Sequence, residues 1–128
     1  MKYKWGITII ILAALIAVPI AIFSKTGGGL PKYALQTEKI KEAYTFATDS
    51  PDALDGINCF CGCMQNLHNG RLHSKGLHDC FRNGKGYEIH GSQCDMCVNG
   101  VLDVKTLLGQ GKTKDEIKSF IDEKYGPK

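Results

Sequence analysis

Six cysteines confined to residues 59–97 limit the kinds of domain that this 128-residue chain can form. Three of them lie in the run Cys-Phe-Cys-Gly-Cys at residues 59–63, and two form a Cys-x-x-Cys pair at residues 94–97. The sixth, Cys80, lies between these clusters, and all four histidines fall within residues 68–90. A small domain of this composition is expected either to be cross-linked by disulfides or to fold around a soft-ligand metal site.

The amino-terminal segment is typical of a membrane anchor. Lys2 and Lys4 precede an uncharged, largely aliphatic run at residues 6–23, and about 18 residues is near the lower limit for crossing a bilayer. A cleaved secretory signal is the alternative, but its apolar core is usually about 7–15 residues and is followed by a small-residue cleavage site, which is not clean here. The sequence therefore predicts an uncleaved transmembrane helix at residues 1–25, with no cysteine placed for a lipid anchor.

The remainder of the chain is expected to be one domain outside the cytoplasm. Residues 26–32 include three consecutive glycines, which predicts a flexible linker. The lysines before the anchor favour a cytoplasmic amino terminus, so residues 33–128 are predicted to lie on the extracytoplasmic side of a single-pass cell-membrane protein. The net charge of +3 is small and the lysines alternate with acidic residues, which gives no indication of nucleic-acid binding.

The first helices of this domain follow from apolar spacing and turn residues. Residues 33–48 carry apolar side chains at helical intervals, which predicts an amphipathic helix. Ser50-Pro51 then favours a short helix reaching Leu54, because proline is well tolerated at the first helical position. Residues 57–91 are irregular and rich in glycine and asparagine, with no alternating run that predicts a strand.

The last two helices have clearer boundaries. Residues 92–109 are predicted to be helical, with Ser92 as the cap, and Thr113 opens the final helix in a Thr-x-x-Glu capping box. A short helix is also expected at residues 77–81. The fold class is therefore mainly α: a transmembrane helix, then a small helical domain with a cysteine-rich irregular loop. The predicted core consists of Ile40, Tyr44, Leu54, Phe60, Phe81, Val101, Leu108, Ile117, Phe120 and Ile121.

The sequence is compatible with two uses of the cysteines, as disulfides or as metal ligands. Six cysteines permit three disulfides, and three in the first cluster face three elsewhere in the chain. Thiolates together with imidazoles instead select copper(I) or zinc, and Met64 and Met96 each adjoin a cysteine as further soft donors. The candidate metal ligands are Cys59, Cys61, Cys63, Cys80, Cys94, Cys97, His73 and His90.

Other cysteine chemistry is less consistent with the sequence. A thioredoxin-like exchange site would need a βαβ pattern around its Cys-x-x-Cys pair, and covalent haem attachment would need histidine where Val98 stands. The sequence also lacks the usual nucleophile, phosphate-loop and zinc-protease motifs. We therefore expect a protein that is not an enzyme and has no small-molecule substrate.

The motifs together resemble a bacterial family named for a Pro-Cys-Tyr-Cys-Gly-Cys motif. The matching residues are Asn58 with the Cys-x-Cys-Gly-Cys run, His73-Ser74, Asp79-Cys80-Phe81, His90, and Cys94 with Cys97. The family is largely uncharacterised, and its secreted or lipid-anchored members imply an extracytoplasmic location by analogy. This chain has Asn58 and Phe60 where the motif has proline and tyrosine.

Two functional hypotheses follow. The first is a membrane-anchored extracytoplasmic protein that holds or delivers copper, or zinc, to a membrane partner. The second is a disulfide-stapled accessory subunit of a larger membrane complex, with Ala13, Ala14 and Ala17 as small residues for helix packing.

Overall fold

The computed structural model describes residues 29–128. The predicted transmembrane segment and residues 26–28 of the predicted linker lie outside the described residues. Across residues 29–128, no helix combines the length and the apolar character needed to cross a membrane.

The described residues form a small, mainly helical domain, as the sequence predicted. A 3-10 helix at Lys32–Leu35 is followed by α1 (Glu38–Asp49), α2 (Pro51–Leu54), α3 (Leu77–Phe81), β1 (Arg82–Asn83), β2 (Gly86–Tyr87), a second 3-10 helix at Ile89–Gln93, α4 (Asp95–Gly109) and α5 (Lys114–Tyr125). The short strands β1 and β2 pair antiparallel.

Helix α4 is the centre of the domain, since it packs against both α1 and α5. Its buried face carries Val101 and Val104, and α5 contributes Ile117 and Ile121. At the far end of α5, the Lys124 amino group and the Tyr125 hydroxyl both contact the Asp103 carboxylate of α4, at 2.7 and 2.6 Å. Apolar burial and these polar contacts together fix α5 on α4.

Tyr44 of α1 connects the helices to the cysteine-rich loop. Its side chain is fully buried, and its ring meets that of Phe81 edge to face, with centroids 4.8 Å apart. The hydroxyl donates to the Glu88 carbonyl at 2.5 Å and accepts from the Ser92 backbone N–H at 3.0 Å. A buried hydroxyl without hydrogen bonds would lower the stability of the fold, so these two hydrogen bonds hold the loop against α1.

The structure corrects two of the predicted helix starts. The helix predicted at residues 33–48 is divided, because Thr37 caps α1 by accepting the Ile40 N–H at 3.1 Å. Helix α4 begins at Asp95, with Cys94 in the capping position instead of Ser92. The Ser92 hydroxyl donates to the Ile89 carbonyl at 2.7 Å, within the preceding 3-10 turn.

The predicted core needs correction at a few positions. Leu108 and Phe120 are 43% and 38% exposed, because Leu107 packs against the core in the last turn of α4 and Phe120 lies beside the buried stripe of α5. Ile40 and Phe60 are only half-buried against the core. The hairpin of β1 and β2 was not predicted, since two-residue strands are too short to show alternation.

Candidate metal centre

Backbone hydrogen bonds bring the two arms of the cysteine-rich loop together. The Leu77 N–H donates to the Ile57 carbonyl at 2.9 Å, and the Gly56 N–H donates to the Lys75 carbonyl at 3.2 Å. Gly76 lies between these bonds with φ of +64°, and a Cβ there would be 1.9 Å from the Ile57 oxygen. Glycine is therefore required for the close approach that places the first cysteine cluster beside α3.

Five of the six thiols form one cluster, and all of them except Cys61 are buried. The Cys59 sulfur lies 3.1 Å from that of Cys61 and 3.2 Å from that of Cys97, and the Cys61 and Cys63 sulfurs are 3.2 Å apart. The Cys80 sulfur is 3.6 Å from those of both Cys63 and Cys97. A disulfide requires about 2.05 Å, so no described pair is at bonding distance and all six cysteines are free.

These separations suit a shared metal ion. Zinc–thiolate bonds of about 2.3 Å imply sulfurs about 3.8 Å apart around a tetrahedral ion. The observed spacing of 3.1–3.6 Å is therefore within several tenths of an ångström of that edge. Small outward shifts of the side chains would complete a coordination sphere.

Two histidines extend the cluster. The His90 Nε2 is 3.4 Å from the Cys61 sulfur, and the rings of His73 and His90 have centroids 5.0 Å apart. His73 is fully buried, and neither of its ring nitrogens has a hydrogen-bond partner among the described residues. Burial lowers the pKa of His73, which favours the neutral ring that ligates metals. A bond to an ion would satisfy a nitrogen that is otherwise buried and unpaired.

Ligand atoms lie within 4.8 Å of one another in three overlapping groups of four. The groups are Cys59, Cys61, Cys63 and Cys80; Cys61, Cys80, His90 and Cys97; and Cys63, His73, Cys80 and His90. Only Cys80 belongs to all three. Seven of the eight ligands predicted from the sequence are therefore in one place.

The thiols also polarise one another. Hydrogen bonds from neighbouring thiols, Cys59 first, lower the pKa of Cys61. The pKa values of Cys80 and Cys97 are raised, because both share hydrogen bonds with Cys59 and Cys61 in a buried setting. The pKa of Cys59 is also lowered, because its contact with Cys61 raises it less than hydrogen bonds with Cys63, Cys80 and Cys97 lower it. Like charges repel, so a cation would be needed to hold several thiolates this close.

The eighth predicted ligand, Cys94, has a different contact. Its sulfur accepts the Cys97 backbone N–H at 3.4 Å as the cap of α4, and it belongs to none of the three groups. The Met64 sulfur accepts the Cys59 N–H at 3.2 Å, whereas Met96 is 37% exposed. Met64 is therefore the soft thioether that adjoins the cluster.

A buried ion-pair network supports the histidine side of the cluster. Arg71 lies 3.6 Å from the Asp79 carboxylate and 3.7 Å from that of Glu88. The Glu88 carboxylate also accepts the His90 backbone N–H at 3.4 Å, which holds the backbone that carries this ligand. Desolvation opposes ionisation of Asp79, but bonds from His78, the Lys75 N–H and Arg71 outweigh it and lower the pKa of this carboxyl.

Sequence reasoning did not identify this network or the proximity of His68. The His68 ring lies 4.4 Å from that of His90 between centroids, so it adjoins the cluster without belonging to any of the three groups. The acidic residues at positions 79 and 88, each one or two residues from a candidate ligand, were the available signal.

Comparisons with known proteins identify the family but not the activity. No curated protein matches this chain, and no solved structure matches it. The family model described as "Protein of unknown function with PCYCGC motif" matches residues 22–127, which include all six cysteines and all four histidines. The chain therefore belongs to the family of proteins of unknown function with the PCYCGC motif.

Proposed function

We propose that this protein is a membrane-anchored, extracytoplasmic protein that binds copper, or zinc, and holds it for or delivers it to a membrane partner. Binding and transfer of an ion need no catalytic group, so we propose that it is not an enzyme. The anchor and the location rest on the apolar run at residues 6–23 and the lysines before it.

One observation carries the metal-binding part of this proposal. His73 is fully buried beside Cys63, Cys80 and His90, and both of its ring nitrogens are without a hydrogen-bond partner in the described part of the chain. A buried polar atom of this kind normally has a partner. A metal ion shared with the neighbouring sulfurs would provide one.

The donor set favours a soft ion. All candidate ligands are thiols and imidazoles, which select copper(I) and zinc over ions that prefer oxygen. The nearest buried carboxylates, Asp79 and Glu88, are paired with Arg71. The Met64 sulfur beside Cys59 adds a thioether, a copper(I) ligand type, so we place copper first.

Delivery also requires that a partner can reach the ion. Cys61 and His90 are half-buried, whereas Cys59, Cys63, Cys80, Cys97 and His73 are buried. Ligand exchange would therefore begin at Cys61 and His90, which a partner's own thiol or imidazole could replace one at a time.

The test is elemental analysis with a thiol count on full-length protein purified anaerobically in mild detergent. We expect bound copper or zinc, and five thiols that become reactive only on denaturation with a chelator; the sixth, Cys94, is half-buried and belongs to none of the candidate groups. His73→Ala should reduce the bound metal, whereas His78→Asn should not, because His78 belongs to none of the candidate groups and asparagine keeps a hydrogen-bond donor beside Asp79.

A protein that acquires neither copper nor zinc, even on titration of the reduced form, would refute the metal-binding proposal. If the thiols were also absent after denaturation, the cysteines would be disulfides. The accessory-subunit hypothesis would then be the one to pursue, by co-purification of a larger complex.

A further inference from the structure

We propose that the centre binds two metal ions, which share the thiolate of Cys80. This inference rests on the proposed function and specifies the number and kind of its ligands. The thiolate tetrad consists of Cys59, Cys61, Cys80 and Cys97, and the mixed tetrad consists of Cys63, His73, Cys80 and His90.

The number of donors argues for two ions. A tetrahedral ion takes four ligands, whereas the candidate groups contain seven different residues. Two four-coordinate ions that share one ligand require seven donors. The two tetrads use each of the seven residues, and Cys80 is the one residue that they have in common.

The thiolate tetrad is compact. The Cys59 sulfur is 3.1 Å from that of Cys61 and 3.2 Å from that of Cys97. The Cys97 sulfur is 3.6 Å from those of both Cys61 and Cys80. The two remaining pairs, which join Cys80 to Cys59 and to Cys61, are within 4.8 Å.

The mixed tetrad would provide a bonding partner for the buried ring of His73. Its ligand atom lies within 4.8 Å of those of Cys63, Cys80 and His90, and it shares no group with Cys59, Cys61 or Cys97. A single ion in the thiolate tetrad would therefore leave the His73 ring buried and unpaired. A single ion in the mixed tetrad would leave Cys59 and Cys97 as buried thiols 3.2 Å apart.

Cys80 is well placed to be the bridging ligand. It is fully buried and lies in α3, where its sulfur is 3.6 Å from Cys63 of the mixed tetrad and 3.6 Å from Cys97 of the thiolate tetrad. Because each ion would lie about 2.3 Å from this sulfur, the two ions would be less than about 4.6 Å apart.

The experiment titrates reduced full-length protein in detergent with zinc(II) alone and counts bound ions by native mass spectrometry. We expect two zinc ions per chain. His73→Ala should retain one ion, in the thiolate tetrad, and Cys59→Ser should retain one, in the mixed tetrad. The control is Cys94→Ser, which should retain two ions because serine preserves the helix cap.

Cobalt(II) substitution of the same variants reports which tetrad is lost. His73→Ala should keep the intense sulfur-to-cobalt charge transfer of the four-thiolate site, whereas Cys59→Ser should lose a large part of it. Circular dichroism of each variant checks that the helices are retained. X-ray absorption of the zinc-loaded wild type gives the distance between ions without any substitution, so the inference can be tested even if a variant does not fold.

The outcomes separate this inference from the proposed function. One zinc per wild-type chain, or no second metal within about 4.6 Å, would overturn the two-ion centre and leave metal binding intact. Two ions that both persist in His73→Ala would overturn the mixed tetrad. Binding of neither zinc nor copper(I) by the reduced wild type would refute the proposed function itself.

Discussion

The helical frame, which comprises α1, α4 and α5, differs from the site loop at residues 55–94 in what holds each together. The frame buries small and medium apolar side chains such as Ala43, Val101 and Ile121. The site loop buries three thiols, one imidazole and two carboxylates, and Cys97 of α4 adds a fourth buried thiol to the cluster. Apolar burial stabilises wherever shapes match, whereas a buried polar group is tolerated only with a partner.

The proposed metal is therefore expected to affect the stability of the two regions unequally. The frame has its own sources of stability, in apolar contacts and in the cap and ion pairs of α5. The site loop is anchored to the frame by the buried side chains of Ile57, Leu77 and Phe81. Its residues 58–75 have no fully buried aliphatic or aromatic carbon side chain, and this part depends on backbone bonds between the arms of the loop. We therefore expect the proposed metal to stabilise the site loop and the frame to be largely independent of it.

Metal removal should have the largest effect, and it should destabilise the site loop far more than the frame. Chelation of the reduced, metal-loaded protein should lower the melting temperature by at least about 10 °C, because structural zinc sites contribute several kcal/mol or more to folding. Hydrogen exchange should show lost protection in the site loop, including the His73 N–H that donates to the Cys63 carbonyl at 3.1 Å. The α4 amides should retain theirs.

Restoring zinc should recover the protection, which serves as the control for damage to the protein. Equal loss of protection in α4, α5 and the site loop would show that the two regions do not differ in the way we infer.

Gly76→Ala should cause the next largest loss of stability, because Gly76 lies between the arms of the site loop. An L-residue in this backbone region costs about 1–3 kcal/mol. The added Cβ would also be 1.9 Å from the Ile57 oxygen, which would force apart the arms joined by the Leu77 N–H bond of 2.9 Å. We expect the free energy of unfolding to fall by about 4 kcal/mol in chemical denaturation, with reduced metal binding.

Gly84→Ala is the matched control. Its φ is +59°, close to that of Gly76, but a Cβ there meets nothing within 4 Å. It should cost about 1 kcal/mol and leave metal binding unchanged. Similar losses in both variants would mean that backbone conformation alone, and not the approach to Ile57, determines the effect.

Ile121→Ala tests the frame from its apolar side. Ile121 is 1% exposed on α5, and removing a buried isoleucine side chain typically costs about 3 kcal/mol. Phe120→Ala removes a larger side chain that is 38% exposed, so it should cost less than Ile121→Ala. The measurement is the denaturation midpoint, and a greater loss in Phe120→Ala would contradict the observed orientation of α5.

The two regions also differ in how far the sequence predicts them. The frame follows from local signals: the helical spacing of Ala43, Tyr44 and Ala47, and the capping box of Thr113 and Glu116, are both confirmed. The errors, at Leu108 and Phe120, concern which edge of an apolar stripe faces the core. That choice depends on the crossing of the helices, which local spacing does not specify.

In the site loop, the sequence indicates the ligand types but not their arrangement. Spacing could not show that His73, and not His68, would be the fully buried ring. Cys94 shares a Cys-x-x-Cys pair with Cys97, yet it caps α4 because the chain enters this helix directly from a 3-10 turn. These outcomes depend on contacts between residues distant in sequence, such as the bond of the Tyr44 hydroxyl to Glu88.

Thr113→Ala should have the smallest effect, and it tests whether the frame can lose stability without any loss of metal. The Thr113 hydroxyl accepts the Glu116 N–H at 3.3 Å, and the Glu116 carboxylate accepts the Thr113 N–H at 2.8 Å. Loss of such a cap costs about 1 kcal/mol, whereas Thr113→Ser should be nearly neutral because the hydroxyl is kept. Since this cap lies in the frame, neither variant should change the number of bound metal ions.

If Thr113→Ala lost metal as well as stability, α5 would be part of the structure that supports the metal site. The 2.9 Å hydrogen bond from the Asn58 side chain to the Asp122 carboxylate provides a physical connection between α5 and the site loop. Asn58→Ala alone would then reproduce the loss of metal without disturbing the cap.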